Sequence, residues 1–476
     1  MYLRHVWAMC ALISAAALLS AAPSRAPRAI QGAPKSQQAI QPDLVLDFSS
    51  DLMGFVEPCG CTTGQYGGIG RRATYLRQAR RKATPYLALF AGDLVAGIGE
   101  LNRIRAETLL ASLAAMKYDA AVPGEMDLLE GEDVFRKRWC SLGFAVSANL
   151  LDAQGKRFLQ QYLVRQVNLR RGNHTRPVKV AITGVVSPFL MEKAAEMSGR
   201  SLAWAKAEDP TSVLKGLVPK LRKEASLVIV LAHTGIPAAA QLAKDVPGID
   251  VVVAGHNPAV SVLSPPNLGG PILVAAGDRG RHITELRLKL MDSGGVDAYS
   301  TSQMALGDVI PDDPEVGALM ETYRRQAAEY GRRARAALAA RRTEQAGPFV
   351  GAKVCAMCHA SATAQWRSTK HADALPSLKK WHPSAAERME CLQCHVVGLG
   401  NPYGYIGEQE TPDLAGVQCE NCHGPGRKHV EAAWLNEPSA GLVTKSPGEA
   451  VCRSCHDDEH HPQFDFAASI GKVRHR

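Results

Sequence analysis

The sequence predicts an α/β sandwich followed by a smaller, mainly helical unit, and three observations carry that prediction. From position 43 to about 308, short β-branched or apolar runs alternate with helical stretches. Ten of the 15 histidines and eight of the 12 cysteines fall after position 350, so the last quarter of the chain is built differently. The length of 476 residues calls for at least two domains at roughly 100–200 residues each. Hydrophobic residues make up 46% and charged residues 21%, an ordinary globular balance that excludes disorder. The net charge of +9 is dispersed and aromatics are only 6%, which excludes a nucleic-acid partner.

The first 26 residues have the shape of a secretory signal peptide. Arg4 and His5 precede an apolar run over 6–22, and small residues with proline follow. That run is short for spanning a bilayer and contains Ser14 and Ser20, so cleavage is favoured over an anchor. Residues 27–42 form a polar Gly/Pro/Gln-bearing linker. The expected location is periplasmic or otherwise extracytoplasmic, with membrane contact only through an uncleaved N-terminal segment.

Residues 43–310 form the layered domain. Strands are expected at 44–48, 86–90, 144–147, 178–185, 227–231, 249–253 and 272–275, and helices at 71–81, 105–116 and 210–223. Asp209 as N-cap and Pro210 in the first turn mark the start of the last helix. Asp51, Asp93, His233 and His256 each fall just past a strand end, the edge where sites form in open α/β sheets. One aspartate alone would cap a turn, and one histidine would satisfy a backbone group. Four at equivalent strand ends point to a site.

These residues carry a resemblance to the calcineurin-like metallophosphoesterases, and specifically to the 5′-nucleotidase branch. The matching phrases are Ser50-Asp51, the glycine-rich run Gly67 to Arg72, Gly92-Asp93, Gly124 to Asp127, Ala232-His233 and Gly255-His256. The resemblance implies two metals, a bridging aspartate and an Asn-His pair. Met53 and Pro258 stand where it implies ligand histidines of one metal position, and Glu125-Met126 replaces the Asn-His pair. The other position keeps Asp93, His233 and His256 and gains Glu125. Together with Asp51, these residues would hold one divalent Zn, Mn or Fe ion. Hydrolysis with paired ions needs them about 3.5–4 Å apart, so phosphoester cleavage is disfavoured. Cys59 and Cys61, in a glycine-rich loop, are a possible thiol site, substituting for lost imidazoles or acting in redox, with a fortuitous pair as the plain alternative. Cys140 is a lone thiol expected to be buried.

Residues 311–347 are a connector. Ala, Arg and Glu dominate 312–345, which predicts a long basic helix with a solvated face.

Residues 348–476 contain four C-x-x-C-H units: Cys355, Cys358 and His359; Cys391, Cys394 and His395; Cys419, Cys422 and His423; Cys452, Cys455 and His456. Two thiols on one turn can each add across a haem vinyl group while the adjoining imidazole reaches the iron. Zinc ribbons also use C-x-x-C pairs, but neither they nor disulfides require a histidine after every pair. Four c-type haems are therefore expected, replacing much of an aliphatic core. His371, His382, His429, His460, His461 and His475 lie in the same stretch, beside four irons that each take a sixth ligand.

This unit resembles the tetrahaem cytochrome c-554 type of multihaem cytochromes. The resemblance rests on the Trp366 to Ala372 phrase, the Gly416 to His429 phrase and the tail from Phe464 to His475. It makes His371, His429 and His475 the leading distal ligands, with His382 next and His460 and His461 behind, and it allows one five-coordinate haem.

The combined expectation is an α/β sandwich of metallophosphoesterase type followed by a haem-packed multihaem cytochrome domain. Its function is electron transfer between redox donor and acceptor proteins, with the first domain docking partners or carrying a modified metal or thiol site. The alternatives are an active metal-dependent hydrolase with fused haems, or a redox enzyme using an open haem. No catalytic residue is named by the sequence.

Overall fold

The computed structural model describes residues 40–476 apart from 60–65, 83, 172–173, 257–259, 263–269, 278, 293, 344, 382, 458–459, 462 and 476. The expected signal peptide, most of the 27–42 linker, Cys61, Pro258 and His382 lie outside the described residues.

The main strands of the first domain are β1 (Leu44–Ser49), β2 (Tyr86–Ala91), β3 (Ala120–Val122), β4 (Tyr162–Arg171), β5 (His174–Val186), β6 (Leu227–His233), β7 (Val251–Gly255), β8 (Val260–Val262), β9 (Ile272–Ala276), β10 (His282–Leu290) and β11 (Val296–Ala305). They form two sheets, in the orders β11-β10-β1-β2-β3 and β8-β9-β7-β6-β5-β4. Strands β1 to β3 run parallel, as do β5, β6, β7 and β9. Its longer helices are α1 (Ile69–Arg80), α2 (Glu100–Ala115), α3 (Pro188–Ser198), α4 (Pro210–Glu224) and α5 (Ile236–Asp245), with a short helical segment over 132–140.

The period-2 rule explains how the layers stack. Along β6, Leu227, Ile229 and Leu231 join the core shared with β1 and β2. Val228, Val230 and Ala232 face the other way, against Leu214, Leu217 and Leu221 of α4 and Ala239 and Leu242 of α5. Asp209 caps α4 as expected, accepting from the Ser212 amide at 2.8 Å. Arg72, from the glycine-rich phrase, has a structural role. It is 1% exposed and pairs with Asp47 of β1 at 3.0 Å, holding α1 on the first sheet.

Three expectations need correction. Residues 144–147 are not a strand: Ala145 and Val146 make only isolated bridges, to Ala121 and Gln160. Cys140 is exposed, and the neighbouring Trp139 is the buried residue at that helical turn. The connector is not merely a solvated face. It forms α6 (Pro314–Ala339), capped by Asp313, and buries Val316, Met320, Tyr323 and Ala327 at helical spacing against the first domain. Asp313 also pairs with Arg77 of α1 at 2.7 Å.

The far end of α6 is tied to the C-terminal unit. Arg335, 2% exposed, donates to the carbonyls of Ile406 and Glu387, each at 2.6 Å, and to the Glu387 carboxylate. That unit is made of short helices, including α7 (Ala360–Arg367), α8 (Ala374–Trp381) and α9 (Arg427–Trp434). Its apolar core is small, centred on Leu375, Leu392, Val396, Val397 and Tyr405. Among the described residues no helix is long and apolar enough to cross a membrane.

Candidate metal centre and haem-binding turns

The parallel strand order brings the C-terminal ends of β1, β2, β6 and β7 together. Asp51 follows β1, Asp93 follows β2, His233 ends β6 and His256 follows β7. One ligand atom from each of the four lies within 4.8 Å of the others. Asp51, Asp93 and His256 have φ of 50°, 60° and 60°, a left-handed conformation costly for such residues and concentrated at functional sites. A Cβ at Gly92 would collide with the His233 ring, and one at Gly124 with the Asp93 carboxylate. Only glycine allows the loops to close this tightly.

Glu125 stands between the two imidazoles. Its Oε2 lies 2.8 Å from His233 Nε2 and its Oε1 2.9 Å from His256 Nδ1. His233 Nδ1 donates to the Ala91 carbonyl at 2.6 Å, which turns Nε2 toward the carboxylates of Glu125 and Asp93. The His256 amide donates to both oxygens of Asp51, at 3.1 and 3.0 Å. Although close, Glu125 Oε2 and His233 Nε2 are misaligned for a hydrogen bond and both are buried. Two buried atoms aimed into one shared space fit a cation there.

The electrostatics agree. Burial pushes the Asp93 carboxyl up, and the neighbouring Glu125 charge adds to this, to about 7. Burial also acts on Glu125, but His233 and then His256 outweigh it and hold that carboxyl well below its usual range. For His233, burial is outweighed by Asp93 and Glu125, which raise it well above the ordinary imidazole value. The carboxylates thus favour positive charge at the two imidazoles, the kind of charge a divalent ion would supply there.

The second metal position of the resemblance is poorer. Met53, at φ 53°, offers only a soft thioether, and its amide donates to the Asp93 carbonyl at 3.3 Å. Met126 supplies a backbone amide to Asp93 Oδ1 at 3.0 Å, in place of an imidazole. Cys59 lies in the short strand Pro58–Cys59, paired with Tyr66–Gly67. Asp127 was not singled out by sequence reasoning. It accepts from the amides of Asp93, Leu94 and Gly124 at 3.1, 3.0 and 2.9 Å, locking two site loops together. Its place in the Gly124 to Asp127 phrase was the available signal.

In the C-terminal unit the histidines sort into pairs. Two imidazoles sharing one metal, each nitrogen about 2 Å from it, put their ring centres about 6 Å apart. His359 and His429 are separated by 6.2 Å, His371 and His456 by 6.1 Å, and His423 and His475 by 5.5 Å. Each pair joins the histidine of one C-x-x-C-H unit to one of the three leading distal residues. Among the described residues no second imidazole stands at such a spacing from His395.

Backbone carbonyls fix the ring orientations. His395 Nδ1 donates to Ala374, His423 Nδ1 to Thr444 and His429 Nδ1 to Ser439, at 2.6, 2.6 and 3.1 Å. Each bond leaves Nε2 free for iron. Burial pushes His371, His395, His456 and His475 down, so their lone pairs are available at neutral pH. His461 shares a hydrogen bond with His456 at 2.9 Å, and His460 is held by Asp457 at 2.8 Å. The residues fit haem iron.

Known proteins divide the chain in the same way. Residues 46–259 match the family model for calcineurin-like phosphoesterase, and residues 354–424 that for cytochrome c554 and c-prime. The cytochrome c-554 of Nitrosomonas europaea is 41% identical over 135 residues, covering 23% of this chain and 57% of that protein. The snake venom 5′-nucleotidase of Crotalus adamanteus is 24% identical over 327 residues, covering 60% of this chain and 52% of that one. The chain thus spans about half the length of the curated relatives it matches. The crystal structure of the calcineurin-like phosphoesterase YfkN from Bacillus subtilis superposes with a TM-score of 0.53 at 21% identity, over 60% of this chain and 98% of that one. The first domain therefore has a metallophosphoesterase-like α/β fold.

Proposed function

We propose, on the premise of a phosphoesterase-like fold joined to a cytochrome c554-like unit, that this chain is an exported multihaem c-type cytochrome passing electrons between a donor and an acceptor protein. Its first domain holds one divalent ion, Zn, Mn or Fe, and does not hydrolyse phosphoesters. The carrying observation is the set of three imidazole pairs near 6 Å, each anchored on a C-x-x-C-H turn. Bound haem supplies one-electron chemistry at a potential set by its axial ligands. The chain's part is to hold those ligands oriented and close together. The Cys355 side chain lies close to that of Cys419, and the Cys455 side chain close to that of Cys394. The first and third attachment turns thus adjoin, as do the second and fourth, which favours a relay over isolated centres.

The single ion follows from the residues. Asp51, Asp93, His233 and His256 bring one ligand atom each to a single point, Glu125 lies against both imidazoles, and Met53 leaves the neighbouring position without an imidazole. Export is favoured by the signal-like residues 1–26 and by eight thiols in thioether-forming motifs. The test is to purify the full chain, count covalent haem by the pyridine haemochrome spectrum, count metals by elemental analysis and assay phosphate release from 5′-AMP. Four haems, one further divalent ion and no phosphate release above a His233→Ala control are expected. Two further ions with phosphate release would restore the active hydrolase, and an absence of covalent haem would end the cytochrome reading.

The position of His395, which no described imidazole faces, favours a second reading in which a small molecule reacts at an open iron. A high-spin ferric signal that shifts on adding azide would support it. A purely low-spin spectrum would remove it.

A further inference from the structure

A partly buried cluster of charge lies between the metal-binding loop and the second haem-attachment turn, and neither site uses it. Its members are Glu57, six residues after Asp51; Arg105 of α2; Tyr323 and Arg324 of α6; and Arg388 and Glu390, the latter adjoining Cys391. Arg324 donates to one oxygen of Glu57 at 2.6 Å, and Arg388 donates to the other. Arg388 also donates to Glu390 at 2.9 Å, and its guanidinium lies 5.3 Å from the Tyr323 ring centre. The Tyr323 hydroxyl donates to Glu390 at 3.2 Å, and Arg105 reaches within 3.6 Å of it. The Glu57 and Arg388 side chains are each 9% exposed. At Gly54, φ is +86° and a Cβ would stand 2.9 Å from Arg105 Cδ, so the loop leading from Asp51 rests directly on this arginine.

Docking alone does not call for such a cluster. Removing five charges from water is costly, and apolar residues of the same volume hold interfaces at least as well. What charges do, and apolar residues do not, is act at a distance. At an effective dielectric of about 20, a unit charge roughly 10 Å away changes a charge-transfer equilibrium by on the order of tenfold. Three guanidiniums against two carboxylates leave the cluster with one net positive charge.

We propose that this cluster is an electrostatic junction between the two domains. The charges of Glu57, Arg105, Arg324, Arg388 and Glu390 set the reduction equilibrium of the haem held by Cys391, Cys394 and His395. Through them that haem senses the loop beginning at Asp51. The inference rests on the haem reading above. Its signs are fixed: removing a carboxylate makes the surroundings more positive and favours the electron-bearing state, and removing a guanidinium does the reverse. A cation at Asp51 acts like a lost carboxylate, and by linkage reduction tightens its binding.

The test is a spectroelectrochemical titration of the full holoprotein, with the relevant component identified by its displacement in His395→Met. Glu57→Gln is expected to raise that component's reduction constant threefold or more, and Arg105→Gln to lower it by a similar factor, with the other components unmoved. Arg324→Gln, on a different helix, provides the same lowering should Arg105→Gln fail to fold. Opposite signs separate charge from loosening, because loosening would move every variant in one direction. Shifts of one sign, or none, overturn the proposal. In the parent, Mn2+ whose binding is verified by elemental analysis should raise the same component, and a bound ion that leaves it unmoved also overturns the proposal. A protein that binds no ion refutes the metal reading instead, and the charge variants then decide this one.

Discussion

Replacing Arg335 by Met should undock the cytochrome unit from α6. The methionine keeps the aliphatic stem in place, so little cavity is created, but three donated hydrogen bonds are lost. Two of them end on the Ile406 and Glu387 carbonyls at 2.6 Å. Bonds from a charged donor contribute about 1.5–3 kcal/mol each, which gives a loss of about 3–6 kcal/mol. The third, to the Glu387 carboxylate, adds little because that side chain is 40% exposed. Urea unfolding of the holoprotein should be followed by the Soret band for the cytochrome unit and by far-UV circular dichroism for the whole, since two domains need not unfold together. Gly331→Ala tests the same contact from the neighbouring turn, because its Cβ would collide with the Glu387 carbonyl. Gly317→Ala, on the same helix with open space around it, should be neutral or stabilising by up to about 1 kcal/mol. A Soret midpoint for Arg335→Met displaced by less than about 1 kcal/mol would refute the reasoning.

Three further outcomes are expected. His233→Ala removes the deepest imidazole of the metal cluster, so elemental analysis should fall from one divalent ion per chain to none, with haem content unchanged. His429→Ala takes away the ring facing His359, and electron paramagnetic resonance should show one additional high-spin haem. The Glu57 carboxyl is subject to burial but is held below its ordinary value of 4.5 by Arg388 and Arg324. Its stabilisation is therefore complete above pH 4.5 and is lost as pH falls through the lowered folded value. Limited proteolysis within 311–347 should accelerate on such acidification, and Glu57→Gln should flatten that dependence.

Much of the site was legible because its chemistry is written in short phrases. The four C-x-x-C-H units are local, and Asp51, Asp93, His233 and His256 each follow a strand whose apolar run is plain. Pairing was not legible: nothing in the chain says that His371 faces His456, over 80 residues away, while His429 faces His359. Those partnerships depend on how short helices wrap. The hairpins were missed for a related reason. Strand β11 reads VDAYSTSQMA and is only partly buried, so edge pairing with β10 supplies the stability that an apolar run would have announced. The connector misled by composition. Val316, Met320, Tyr323, Ala327 and Ala328 form the covered stripe, while the arginines that dominate the count lie mostly on other faces.

Helix α6 has a practical consequence for anyone dividing the molecule. A protein ending at residue 310 would leave α1 and α2 without the cover of Val316, Met320 and Tyr323, and would strand Arg77 without Asp313. One beginning at 348 would leave the Ile406 and Glu387 carbonyls without Arg335. Either fragment exposes a freshly cut apolar or polar scar and invites aggregation. The boundary that composition draws between the two halves is therefore not a place where the folded chain can be cut, and α6 belongs to both.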